Sequence, residues 1–240
     1  MNQNISVIGA GTMGTGIAQV ASTYGCSVIL IDNVPEVLNR SKSNLQSILN
    51  RLVEKGKISK TDSVNVFSQI KWSNKIEDVL DSKLVIEAVI ENMELKQQIF
   101  AKIESLVSNT CIMATNTSSL SVTEIASICS NPSRVLGIHF FNPAPVMKLV
   151  EVIPTDETDP ILIDDIKLTL KGWNKTVVMA KDTPGFIVNR IARPFYVEAL
   201  KIYDEGIADF VTIDWAMKKF GDFRMGPFEL MDYIGNDVNY

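Results

Sequence analysis

The chain has 240 residues, 46% hydrophobic and 21% charged, a balance that excludes disordered and fibrous classes and fits one large domain with a smaller companion. A formal net charge of -5 argues against a general nucleic-acid surface, and apolar runs no longer than a strand argue against a membrane span. Cys26, Cys111 and Cys129 are odd in number, far apart and set in apolar surroundings, which predicts reduced thiols in a cytoplasmic protein rather than a disulfide frame or a metal site. The first four residues lead straight into a strand, so no leader is expected. ISVIG (5–9) reads as that strand, the next dozen residues as helix, and SVILID (27–32) as a second strand, which together open a βαβ unit. A long helix follows Pro35, with Leu38, Leu45, Ile48, Leu49 and Leu52 along one face, and runs to Gly56. LVIEA (84–88) is the next strand, and Leu95, Ile99, Ile103 and Leu106 mark another amphipathic helix. CIMA (111–114) is a strand, and Ser121 with Glu124 predicts a capping box on a helix ending near Cys129. VLGIH, KLVEVI and TVVMA supply three more strands, and from Pro184 helices dominate, with Gly206, Gly221 and Gly235 as stops. The expected fold is α/β, a Rossmann-type, mostly parallel sheet over residues 1–183 with a smaller all-helical domain over 184–240.

Gly9, Gly11 and Gly14 form GxGxxG within GAGTMG, after a predicted strand and at the start of a helix, with Asp32 ending the second strand. That context is the dinucleotide fingerprint. Gly9 permits the tight turn, Gly11 lets backbone approach a pyrophosphate, and Gly14 lets helix pack on sheet. Thr12 and Met13 begin the helix whose free N–H groups and partial positive charge face the phosphates. Asp32 would accept hydrogen bonds from ribose hydroxyls and repel a 2′-phosphate, and no arginine directly follows it, so NAD is favoured over NADP.

Ligands of open parallel sheets gather beyond the carboxyl ends of the strands. That rule nominates Glu91 and Asn92, the stretch TNTSS with Asn116 and Ser118, then His139 and Asn142, although Asn116 and Ser118 also suit ordinary turns. His139 is the only histidine in the chain. Glu151 sits inside the apolar run KLVEVI, sharing a face with Leu149 and Ile153 while Val150 and Val152 take the other. A carboxylate there needs a partner, either a lysine or arginine or a histidine on an adjacent strand, and the latter pairing would suit a general base. Between residues 40 and 60, Arg40, Lys42, Arg51, Lys55, Lys57 and Lys60 face one acid, Glu54; charge alone favours a solvated helix face over a local anion site.

GAGTMG, ATNTSSL, HFFNP, KLVEVI, KDTPGFIVNR and MGPFEL, in this order and spacing, resemble the NAD-dependent 3-hydroxyacyl-CoA dehydrogenases, the bacterial 3-hydroxybutyryl-CoA enzymes in particular, over essentially the whole chain. The resemblance implies that His139 is the catalytic base, that Glu151 pairs with it, that Ser118 contacts the reacting oxygen and that Asn189 adds an active-site amide. It places Glu91 and Lys96 on the cofactor side and Lys55, with Arg51 one turn before it, against the CoA moiety of a small-molecule acyl-CoA. It further implies a homodimer formed through the helical domain. Similar proteins continue for several helices after MGPFELMDYIG, so the helical domain is expected to be incomplete at Tyr240. Two rival readings are a dehydrogenase of a free hydroxy or sugar acid and a non-catalytic NAD-binding module.

Overall fold

The structure, a computed structural model, describes residues 3–235. Its chain divides into two compact units, Met1–Phe186 and Ile187–Tyr240. The first holds eight strands, β1 (Asn4–Ile8), β2 (Ser27–Ile31), β3 (Ile70–Ser73), β4 (Leu84–Glu87), β5 (Ile112–Thr115), β6 (Val135–Phe140), β7 (Leu149–Pro154) and β8 (Thr176–Met179). They form one sheet in the order β3-β2-β1-β4-β5-β6-β7-β8. Every neighbouring pair is parallel except β6 and β7. The unit's helices are α1 (Thr12–Thr23), α2 (Pro35–Glu54), α3 (Lys60–Ser68), α4 (Met93–Leu106), α5 (Val122–Ala126) and α6 (Pro160–Gly172). This is the expected Rossmann-type architecture.

A parallel strand covered on both faces needs apolar side chains at every position, which is why these runs read as continuous rather than alternating. Successive residues go to opposite sides. Val7, Leu30, Ile86, Ala114, Leu136 and Ile138 join one core. Ile8, Ile31, Val85, Met113 and Val135 join the other, with Phe100 and Ile103 of α4 and Ile125 of α5. A third, small cluster of Val122, Ile153, Ala180 and Phe186 covers the β7 end of the sheet.

Several elements depart from expectation. Strand β3 and helices α3 and α6 have no counterpart among the expected elements. The strand IKWS alternates apolar and polar residues at the sheet edge, but over four positions only, the minimum for such a pattern. Helix α3 carries a full capping box between Ser59 and Asp62, and Asp159 caps α6 through the N–H of Ile161 at 2.9 Å. Helix α5 stops at Ala126, short of Cys129, and Ser121 accepts from the N–H of Glu124 without a reciprocal bond from the Glu124 side chain. Ile48 does not share the buried face of α2, which is Leu38, Ser41, Leu45 and Leu49; it is 45% exposed.

The second unit consists, among the described residues, of α7 (Val188–Asp204), α8 (Phe210–Lys219) and α9 (Pro227–Ile234). Asp214 of α8 is buried and accepts from the N–H groups of Phe228 and Glu229 at 2.9 and 3.0 Å, so one helix caps the next. Tyr203 and Phe210 stack at 4.3 Å across the α7–α8 turn. No helix among the described residues is long and apolar enough to cross a membrane.

Candidate active site

The carboxyl ends of β1, β2, β4, β5 and β6 line one edge of the sheet, and the strand order reverses between β1 and β4, where dinucleotides bind in such sheets. Gly9 turns there with φ +101°, and a side chain on it would place its Cβ 2.5 Å from the Ala88 carbonyl oxygen. A Cβ on Gly14 would fall on the Gly9 carbonyl. At Gly11 a Cβ would meet nothing within 4 Å, so the backbone there is open to an approaching group. Gly11 is the N-cap of α1 and supplies no side-chain bond, and the first turn holds no acidic residue. The N–H groups at Thr12 and Met13 are thus left to an anionic ligand. Asp32 holds this loop: its carboxylate accepts from the N–H of Ala10 at 2.8 Å and of Val34 at 3.0 Å. An open glycine turn, an uncapped helix and a carboxylate at the end of β2 together fit NAD.

Beyond β4 and β5 lies a charge network that starts buried, at Glu87 and Lys96, and ends at the exposed Glu91. Lys96 on α4 is 1% exposed and donates to Glu87 Oε1 at 2.7 Å, while Glu91 Oε2 lies 3.2 Å from the same ammonium. Glu91 Oε1 accepts from the Thr117 hydroxyl at 2.9 Å and from the Ser118 N–H and hydroxyl at 2.7 and 3.1 Å. Burial pushes the Glu91 carboxyl up, but Lys96, the Ser118 N–H and the Thr117 hydroxyl outweigh it and hold the group below its ordinary value. Asn116 accepts from the N–H of Phe140 at 2.9 Å and so ties this loop to the end of β6. Asn92 caps α4 through Leu95 N–H at 2.8 Å.

His139 and Glu151 are direct cross-strand partners in the antiparallel β6–β7 pair. Imidazole Nδ1 and carboxylate Oε2 stand 2.7 Å apart, with the side chains 7% and 0% exposed. The Phe141 and Phe186 rings lie 4.5 and 5.7 Å from the imidazole. The carboxylate therefore meets the histidine on the adjacent strand, and with Nδ1 engaged, Nε2 is the ring nitrogen left for other partners. Asn142 is exposed in the following loop. Asn189 belongs to the second unit, in the first turn of α7.

Arg51 lies in the last turn of α2 and Lys55 is its C-cap, both exposed. They stand about 24 and 30 Å down the helix from its start near Asp32. Lys42, Gln46, Asn50, Arg51, Glu54 and Phe67 line an open groove along this helix. The Lys42 ammonium lies 5.4 Å above the Trp72 ring.

Sequence reasoning missed Glu87 and Asp182. Glu87 interrupts the apolar strand LVIE as Glu151 interrupts LVEV, and the same signal was present in both. Asp182 accepts from the Ser121 hydroxyl at 2.9 Å and from Val122 and Thr123 N–H at 3.0 and 2.8 Å, capping α5; its signal is only a lone carboxylate in KDTPG.

Residues 4–183 match the family described as 3-hydroxyacyl-CoA dehydrogenase, NAD binding domain, and residues 185–240 match 3-hydroxyacyl-CoA dehydrogenase, C-terminal domain. The chain is 43% identical over 239 residues to a 3-hydroxyadipyl-CoA dehydrogenase of Escherichia coli K12, covering 99% of this chain and 50% of that protein. It is 42% identical over 234 residues to a 3-hydroxybutyryl-CoA dehydrogenase of Clostridioides difficile, covering 98% of this chain and 83% of the relative. The crystal structure of 3-hydroxybutyryl-CoA dehydrogenase from Escherichia coli K12 superposes with a TM-score of 0.97 at 41% identity, over 100% of this chain and 51% of that one. The chain thus spans about half the length of the Escherichia coli relative and of the Escherichia coli chain in the crystal structure.

Proposed function

The chain belongs to the 3-hydroxyacyl-CoA dehydrogenase family, and from that premise we propose that it interconverts (S)-3-hydroxyacyl-CoA and 3-oxoacyl-CoA with NAD, preferring short chains such as 3-hydroxybutyryl-CoA. The 2.7 Å His139–Glu151 pair, buried at the carboxyl edge of the sheet that carries the glycine turn, carries this assignment. NAD, when bound, supplies the ring carbon that accepts or returns the hydride. In oxidation His139 Nε2 takes the proton of the 3-hydroxyl as the hydride leaves C3, and Glu151 stabilises the imidazolium that forms. In reduction His139 returns that proton. Ser118, held by Glu91 through both its N–H and its hydroxyl, positions the 3-oxygen. Asp32 and the α1 N-terminus bind the two ends of the cofactor's adenosine diphosphate portion.

A CoA thioester carries its reacting carbon at one end and its phosphates at the other, and the exposed Arg51 and Lys55 suit the phosphate end. We further propose a cytoplasmic homodimer formed through the helical unit. Three free buried thiols, Cys26, Cys111 and Cys129, support the first. Exposed apolar side chains on that unit, Ile191 at 70%, Val211 at 74% and Phe220 at 77%, support the second.

The test follows NADH consumption with acetoacetyl-CoA, with free acetoacetate and with no substrate. Loss only with the thioester is expected. Equal loss with the free acid would overturn the CoA assignment, and measurable NADH binding without turnover would leave a binding module. His139→Gln should abolish turnover while NADH binding stays near that of the parent; retained turnover would remove His139 from the mechanism.

A further inference from the structure

Glu87 stands outside the cofactor and substrate residues assigned above, yet its whole bonding pattern leads to them. It is 0% exposed at the carboxyl end of β4. Oε1 accepts from the Lys96 ammonium and from the Val89 N–H, both at 2.7 Å, and Oε2 accepts from the Thr115 hydroxyl at 2.7 Å. Two routes run on to Ser118. One passes from Lys96 to Glu91, whose Oε1 holds the Ser118 N–H and hydroxyl. The other passes from Thr115, whose hydroxyl oxygen accepts from the Thr117 N–H at 3.2 Å, to the Thr117 hydroxyl on the same Glu91 oxygen. Asn116 fastens this loop to Phe140, the neighbour of His139.

The charges in this cluster do not cancel. Glu87 and Glu91 contribute two negative charges and Lys96 one positive, so the cluster carries one net negative charge, with Glu87 and Lys96 buried and Glu91 at its exposed end. An oxidised nicotinamide ring is a cation and a reduced one is neutral. We propose that Glu87 is a positioning residue that, by anchoring Lys96, fixes Glu91 and Ser118 and gives this side of the site the net negative charge that favours NAD+ over NADH. The proposal rests on the functional reading above.

Titrating NAD+ and NADH separately against the full 240-residue chain tests it, with the ratio of the two dissociation constants as readout. Glu87→Gln neutralises the cluster and should raise Kd(NAD+)/Kd(NADH) by roughly fivefold, the scale of a unit-charge interaction in partly hydrated protein. Glu91→Gln, at a more accessible carboxylate, neutralises it by another residue and should raise the ratio likewise, so the charge prediction stands even if the buried variant fails to fold. The double substitution Glu87→Gln with Lys96→Met restores one net negative charge and should return the ratio to the parent value. A residue that only supports the fold would weaken both forms alike; an unchanged ratio in Glu87→Gln, or in Glu91→Gln, overturns the proposal. A parent chain that binds neither form overturns the functional reading itself, a result distinct from binding with an unmoved ratio.

Discussion

Two carboxylates interrupt apolar strands in this sheet, and each is resolved by a different partner. Glu151 meets an imidazole across the antiparallel pair, while Glu87 meets an ammonium delivered by a helix. Uncompensated, a buried charge of this kind costs several kcal/mol, so an acidic residue within an apolar strand implies a nearby partner from the amino-acid pattern alone. Glu151 was legible on that ground because only one histidine was available to answer it. Glu87 was equally anomalous, but its partner sits nine residues on in an amphipathic helix, where a lysine reads as solvated. Removing the charge on Glu151 while keeping its shape, in Glu151→Gln, should lower kcat by about 10²- to 10⁴-fold, since the imidazolium then forms unassisted. NADH affinity should stay within about twofold of the parent by the same reasoning. Steady-state rates beside a fluorescence titration of NADH check both halves of that expectation.

Among the elements, α5 is the least able to stand alone, because five residues make little more than one turn. Its N-terminus is closed by Asp182, whose carboxylate burial would raise but whose bonds from Thr123, Val122 and Ser121 hold below its ordinary value. Asp182→Asn should therefore destabilise the chain by about 1 kcal/mol at neutral pH, the usual contribution of a helix-capping carboxylate. A group with a depressed folded pKa stabilises fully above its unfolded value and loses that contribution as pH falls through the folded one. The gap between parent and variant in urea unfolding should accordingly close below the ordinary carboxylate range. Gly14→Ala should act on a different element, driving a methyl group onto the Gly9 carbonyl; a loss of about 1 to 3 kcal/mol and of NADH binding is expected, visible in melting and titration together. The glycine turn was legible because its spacing and its position between strand and helix are both in the sequence. Strand β3 was not, since the alternation of IKWS, Ile70 and Trp72 against Lys71 and Ser73, runs for only four residues, the shortest pattern that can be told from chance. The third and sixth helices were within reach through Ser59 with Asp62 and through Asp159 before Pro160.

At the scale of the molecule, a net charge of -5 coexists with six exposed basic residues between positions 40 and 60. An anionic substrate approaching an acidic protein depends on such a local reversal of sign, and solvent ions screen it within about 10 Å at 0.1 M salt. KM for acetoacetyl-CoA should therefore rise several-fold between low and high ionic strength, and Arg51→Glu should reproduce that rise at low salt with kcat nearly unchanged. Steady-state titrations at several salt concentrations decide it. The mostly parallel sheet was legible from apolar runs separated by helical stretches, whereas the antiparallel turn at β6–β7 was not, because both run directions give the same apolar pattern. That single reversal of direction has a kinetic consequence. His139 and Glu151 face each other within a sheet ladder whose two strands are both paired on their outer sides, by β5 and β8, so the backbone that carries them opens rarely. Ser118 and Glu91 are joined loop to loop and can separate in openings far more frequent. In hydrogen exchange, the amides flanking His139 and Glu151 should be among the slowest in the chain and those of residues 117–119 faster, so two neighbouring carboxylate contacts would report two different depths of opening.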